Sequence, residues 1–333
     1  MKKIELLAIG DMTIDAFIRI EQARLSYNKN SETNEICLPF GDKVPYKSVT
    51  VVPAVGNSAN AAVSAARLGL KAGLISNIGN DKEGEDCLDA LEEEDIHTDL
   101  ISKEKGKNTN YHFVLWYNDD RTILIKHSDF NYTLPKKLAK ISPSYIYLSS
   151  LADNTLLYHK EIAKYLEEHP ETKLAFQPGT FQMKLGTDAL MDIYRRTEIF
   201  FCNFEEAERI LKVESKDILE LSKGIKSLGP SIVVISDGPK GAYMYVNEEL
   251  WQLPIYPDIA PPFERTGAGD AFSSTITSAL VLGKSPLEAF AWGPINSMCV
   301  VQEIGAQKGL LSREKLEGYL KKAPEYYKPK KIN

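Results

Sequence analysis

The sequence predicts a three-layer α/β/α protein with a mostly parallel central sheet and a small β lid. Three observations carry that prediction. Short runs dominated by apolar residues, 4–9, 145–149 and 232–236 among them, suit strands buried on both faces. From residue 145 onward such runs alternate with helical stretches at regular spacing, the pattern of a parallel sheet covered by helices. Two further stretches, within 16–53 and 108–126, are polar and alternating and stand apart from that rhythm.

Taken in order, 4–9 is a buried strand ending at Gly10-Asp11. Residues 16–53 are punctuated by Gly and Pro, with alternation at 47–51, and read as half-exposed antiparallel strands. Residues 57–68 form an alanine-rich helix stopped by Gly69. A strand at 72–78 and a charged amphipathic helix at 82–95 follow. Strands at 111–117 and 121–126 flank an Asn/Asp turn and make a hairpin. Further strands are expected at 145–149, 173–177, 198–203, 232–236 and 242–246. Helices are expected at 155–168, 204–211, 216–228, 266–282, 286–301 and 313–321. The core therefore spans 1–15, 54–107 and 127–325, the β lid 16–53 and 108–126, and a frayed basic tail 326–333.

Composition narrows the function. Lys and Arg number 40 against 46 Asp and Glu, a net charge of −6, which argues against a general nucleic-acid binder. A small anion in a local pocket stays admissible. Cys37, Cys87, Cys202 and Cys299 form no CxxC pair, so neither a zinc ribbon nor a disulfide framework is expected. The first apolar run is too short for a signal peptide, and no stretch reaches the roughly 18 apolar residues of a membrane span. The expected setting is cytoplasmic, without membrane or nucleic-acid partners. The five histidines, His97, His112, His127, His159 and His169, show no ligand spacing and are expected on the surface or the lid.

The sharpest chemical signal is Thr266-Gly267-Ala268-Gly269-Asp270, which opens an apolar helix. Two glycines around an alanine let amide hydrogens converge at a helix N-terminus, where the dipole favours an anion. A carboxylate beside that cradle is what phosphoryl transfer to an alcohol requires. Asp270 reads equally well as a cap of the helix. A P-loop, GxxxxGK[ST], is absent from the sequence. A GxGxxG fingerprint fails because Phe272 stands at the third glycine and no central strand precedes it.

Other segments complete a pattern. Gly56-Asn57-Ser58-Ala59-Asn60-Ala61-Ala62 is followed by Arg67-Leu68-Gly69, then by Ile78-Gly79-Asn80-Asp81 and Gly84. Asn203-Phe204-Glu205-Glu206 and Ser236-Asp237-Gly238-Pro239-Lys240-Gly241 lie further on. With the 266–270 run, these resemble, in order and spacing from about residue 4 to 312, the signatures of the ribokinase-like carbohydrate kinases, the phosphofructokinase B family. The resemblance implies a ribokinase-like fold and ATP-dependent phosphorylation of a sugar hydroxyl, pentose or hexose. It makes Asp270 the general base and Gly267, Ala268 and Gly269 the anion hole. It places Asn203 and Glu206 on the ATP phosphates and on Mg²⁺ through water, and Ser236, Gly238 and Gly241 along the nucleotide. Asp15, Thr13, Gly56, Asn57 and Asn60 would hold the acceptor.

Read without the resemblance, Asp15, Gln177, Asn203 and Ser236 end predicted strands, where ligands bind in an open parallel sheet. Asn203 and Glu206 also fit a capping box, a structural role compatible with the other. Four residues at three places depart from the family pattern. Val55 replaces the first of two glycines; Glu264-Arg265 replaces Asp-Thr where relatives hold a potassium ion; Gln177 replaces Asp or Asn before Pro178. Glu264 is thus the candidate ligand of a monovalent cation, K⁺ being the open cofactor. Phe40, Tyr111, Phe113 and Trp116 would suit a nucleoside acceptor, the main alternative; a non-catalytic sugar-binding regulator is the remote one. The lid leaves room for a homodimer contact.

Overall fold

Each parallel strand of the central sheet sends alternate residues into two separate cores. Leu6, Ala8, Tyr145, Tyr147, Ile199, Phe201, Ile232 and Val234 pack on one face. Leu7, Ile9, Ile146, Leu148, Phe200, Cys202, Val233 and Ile235 pack on the other. Side chains of a strand alternate sides, so burial on both faces demands the unbroken apolar runs seen in the sequence. The structure, a computed structural model, describes residues 4–29, 32–118, 120–263 and 265–333.

The sheet runs Lys330–Lys331, Glu249–Leu253, Ala242–Val246, Ile232–Ser236, Thr197–Asn203, Lys173–Phe176, Tyr145–Leu148, Leu6–Ile9 and Ala72–Ile75. The strands from Ile232–Ser236 to Ala72–Ile75 pair in parallel, and the other three are antiparallel. Helices cover both faces, which makes the three layers expected. A second sheet runs Asp120–Leu124, Tyr111–Tyr117, Thr13–Ile20 and Tyr46–Val55. Among the described residues no helix is long and apolar enough to cross a membrane.

The structure departs from the sequence reading in several places. The 72–78 run is two strands, Ala72–Ile75 in the main sheet and Asn77–Gly79 paired with Ser102–Glu104. The small sheet is not wholly antiparallel, because Thr13–Ile20 runs parallel to Tyr111–Tyr117. The 286–301 helix is broken into Pro286–Phe290 and Gly293–Val300. Pro294 has no N–H to continue the ladder, so it starts a helix rather than extending one. The frayed tail is also corrected. Lys330–Lys331 pairs with Trp251 and Gln252, Ile332 N donates to Leu250 O at 2.9 Å, and Tyr327 OH donates to Ala291 O at 2.7 Å. The open edge of Glu249–Leu253 offers unpaired backbone groups that the tail satisfies.

Small residues bring two helices close together. Asn57–Arg67 buries Ala59, Ala61, Ala62 and Ala65, and Ala268–Val281 buries Ala271, Ser274, Thr275 and Ser278. Hydroxyls on this face are satisfied locally or across helices, as where Asn296 Nδ2 donates to Thr275 Oγ1 at 2.8 Å. That close approach decides where Asp270 lies.

Candidate active site

The helix Ala268–Val281 starts from Gly267, whose φ of 79° lies in the left-handed region. A Cβ there would come within 2.3 Å of Ala306 Cβ, so position 267 takes only glycine. A Cβ on Gly269 would meet nothing within 4 Å, so open space lies before the helix. The amides of Ala268, Gly269 and Asp270 fall in the first turn, which lacks intrahelical acceptors by geometry. The helix start that an anion cradle would need is present, with open space beside Gly269.

Asp270, in that first turn, meets three amide donors. Asn57 Nδ2 donates to Oδ1 at 2.8 Å, Asn60 Nδ2 to Oδ2 at 2.8 Å, and Gln177 Nε2 to Oδ1 at 3.3 Å. Burial pushes the Asp270 carboxyl above the usual range, the three amides pull it down, and the nearby Glu206 charge adds to the rise. Asn57 and Asn60, expected on the acceptor, thus hold the carboxylate itself. Gln177 follows the strand Lys173–Phe176 directly, and its Oε1 accepts from Tyr147 OH, while Ser273 Oγ gives its hydrogen to Gly269 O at 2.6 Å. Gly56, with φ 110°, lets the chain pass where a Cβ would lie 2.7 Å from Asp11 O.

Asn203 and Glu206 form the capping box reciprocally. Asn203 Oδ1 accepts from Glu206 N and Glu206 Oε2 from Asn203 N, both at 2.8 Å. Burial raises the Glu206 carboxyl. The box leaves Oε1 of Glu206 uncommitted, which suits a contact through water. Ser236 lies beside Asn203 across the sheet. Gly238 opens a short turn, Gly238–Lys240. Gly241 is required locally, since a Cβ would lie 2.2 Å from Leu253 O.

The acceptor end departs further from expectation. Asp15 lies inside the strand Thr13–Ile20 of the small sheet, not after the first strand. Its Oδ1 is buried 3.4 Å from His112 Nδ1 without a hydrogen bond. Thr13, in the same strand as Asp15, is buried and gives its Oγ1 hydrogen to Ile14 O at 3.1 Å. Sequence reasoning missed Asp11, Tyr132 and the two facing histidines. Tyr132 OH donates to Asp11 Oδ1 at 2.8 Å, and His127 Nδ1 lies 3.6 Å from Asp11 Oδ2, itself unpaired. The rings of His112 and His127 are 5.3 Å apart. Asp11 follows the first strand immediately, a position that could have flagged it. Nothing local marks the histidines, which arrive from a distant hairpin. His159 is a further correction: it is buried, with Nδ1 2.7 Å from Thr155 O. Among the described residues no group of three or more His, Cys, Asp or Glu side chains could hold a metal ion.

Of the aromatics, Trp116 is packed edge-on to Phe263 at 5.0 Å under Arg19, while Phe40 and Phe113 are exposed. The expectation at Glu264 lies outside the described residues.

Known proteins resemble this chain in sequence and in fold. A family model described as pfkB family carbohydrate kinase matches residues 12–313. The ribokinase of Haemophilus influenzae is 27% identical over 274 residues, 80% of this chain and 87% of that protein. The nucleoside kinase of Methanocaldococcus jannaschii is 23% identical over 80% of this chain and 85% of that one. Arabidopsis thaliana ribokinase, solved with ribose and ATP, superposes with a TM-score of 0.80 at 20% identity, covering 96% of this chain and 99% of that one.

Proposed function

The chain belongs to the pfkB family of carbohydrate kinases, and on that premise we propose that it transfers the γ-phosphate of ATP to a hydroxyl of a small unphosphorylated sugar. The observation that carries this reading is Asp270, held by three amides in the first turn of a helix that opens on free space. Asp270 takes the proton from the attacking hydroxyl. The amides of Gly267, Ala268 and Gly269 receive the charge that gathers on the phosphoryl oxygens. Asn203, Glu206, Ser236, Gly238 and Gly241 line the nucleotide side. Glu206, with one oxygen free of its cap, would hold Mg²⁺ through water; bound there, the ion supplies positive charge to the phosphates.

The acceptor lies toward the small sheet, which we read as a lid over 16–53 and 108–126. Asp15 and Asp11 each keep a buried carboxylate oxygen without a donor. Such atoms want hydroxyl hydrogens and repel a second phosphate, which supports a neutral pentose or hexose. Half-buried Tyr111 and exposed Phe113, with ring centres 5.2 Å apart, favour a nucleoside base as the second reading. Val49, Val51 and Phe113 expose apolar surface on the same sheet, which supports a homodimer through the lid. The deciding experiment is ADP release over free sugars, sugar phosphates and nucleosides, with Mg²⁺ and with or without K⁺. Turnover of a free sugar is the expected result; turnover of nucleosides alone selects the second reading, and none with any acceptor refutes both.

A further inference from the structure

The donors around Asp270 are themselves aimed from further out. Ala54 O, a backbone carbonyl, can only accept. Gln307 Nε2 lies 2.7 Å from that oxygen and 3.0 Å from Asn60 Oδ1. The Gln307 amide nitrogen therefore faces both, which turns the Asn60 oxygen toward Gln307. The Asn60 nitrogen is left toward Asp270, at 2.8 Å. Gln307 is anchored in turn, since its carbonyl accepts from Arg67 Nη1 at 2.6 Å and Arg67 grips Glu94 through two nitrogens.

A second arm works from the other side. Gln177 Oε1 accepts the Tyr147 hydroxyl hydrogen, and a carboxylate can only accept, so Gln177 Nε2 faces Asp270. We propose that Gln307 is a positioning residue for the transfer reaction, acting through Asn60, and that with Gln177 it presents only amide hydrogens to Asp270. The inference rests on Asp270 being the base. Without Gln307 an Asn60 flip would set its oxygen against a carboxylate oxygen at hydrogen-bond distance. Protonation of Asp270 would relieve that repulsion, so Gln307 favours the ionised base. The other ionisable groups that act on Asp270 or are acted on by it are Glu206 and the buried Tyr147 phenol.

The test labels the full chain with aspartate enriched in ¹³C at the carboxyl carbon. The signal lost in Asp270→Asn identifies Asp270, which is then titrated without substrates. Gln307→Met and Gln177→Met should each raise the Asp270 pKa by about one unit, the usual effect of losing a hydrogen bond to the charged form. Turnover of Gln307→Met should fall by up to about tenfold on the acid limb, below the Asp270 pKa, with KM for ATP unchanged, and recover as pH rises above it. A merely structural Gln307 would leave the titration in place and lower turnover equally at every pH. An unchanged Asp270 titration in a folded Gln307→Met chain overturns the proposal. If that variant does not fold, the unmodified chain decides. The Gln307 side-chain ¹⁵N signal must shift with the Asp270 pKa, and indifference overturns the inference. None of these readouts needs an active enzyme. A linked titration without turnover on any acceptor would sink only the kinase reading, and turnover with unlinked titrations only this one.

Discussion

The central sheet and the small sheet solve opposite problems. In the first, each strand from Leu6–Ile9 to Ile232–Ser236 is buried on both faces, and the side chains between them are fixed by close packing. In the second, Tyr46–Val55 is exposed over most of its length, and Phe113 and Leu124 face outward. Asp270, Asn60 and Gln177 hang from the buried layers; Asp15 and His112 hang from the open one. On the proposed function, the base would be mounted on the buried layers and acceptor recognition on the more exposed sheet.

The sharpest way to break that comparison is at the base. Asp270→Asn should lower turnover by about 10²–10⁴, the usual worth of a general base, while the chain stays folded. A coupled assay of ADP release measures it, and near-wild-type turnover would remove Asp270 from the mechanism. The same group sets the pH profile. Burial favours its neutral form, so the raised pKa means that activity is lost as pH falls through a value above the ordinary aspartate range of about 3.9. An acid limb at or below that value would contradict the direction.

Stability should divide along the same line. Phe200 is fully buried, with ring centres 5.6 Å from Phe176 and 5.4 Å from Tyr194. Phe200→Ala should cost about 3–5 kcal/mol in urea unfolding. A loss under 1 kcal/mol would show that the central sheet is not the rigid layer.

The central sheet was legible in the sequence because burial on both faces writes the same message at every residue of a strand. Residues 232–236 and 242–246 carry their strand boundaries without error. Glu249–Leu253 went unread: it pairs with Ala242–Val246 across the tight turn at Asn247-Glu248, but it is only partly buried and so lacks the unbroken apolar run of the inner strands. The motif residues around Asp270 were visible as a short run. Gln307 and the histidines were not, because each gains its meaning from a neighbour about a hundred residues or more away in the chain. Asn57 was visible, but its hydrogen bond to Asp270 was not. An amide side chain signals that a polar contact exists without saying which partner takes it.

The smallest effects separate a cap from an open face. Asn203 satisfies the amide of Glu206 at the start of the helix Phe204–Leu211. Asn203→Ala should therefore cost about 1 kcal/mol of stability, the ordinary price of a lost N-cap. Phe113→Ala removes a larger side chain from the exposed sheet, yet surface substitutions of this kind stay within about 0.5 kcal/mol. Size alone would rank the two the other way. Urea unfolding of both variants, read as a midpoint shift at constant slope, decides whether burial or side-chain size governs. Should Phe113→Ala prove the costlier, the outer sheet is covered in solution, and a concentration-dependent midpoint would identify a second copy of the chain as the cover.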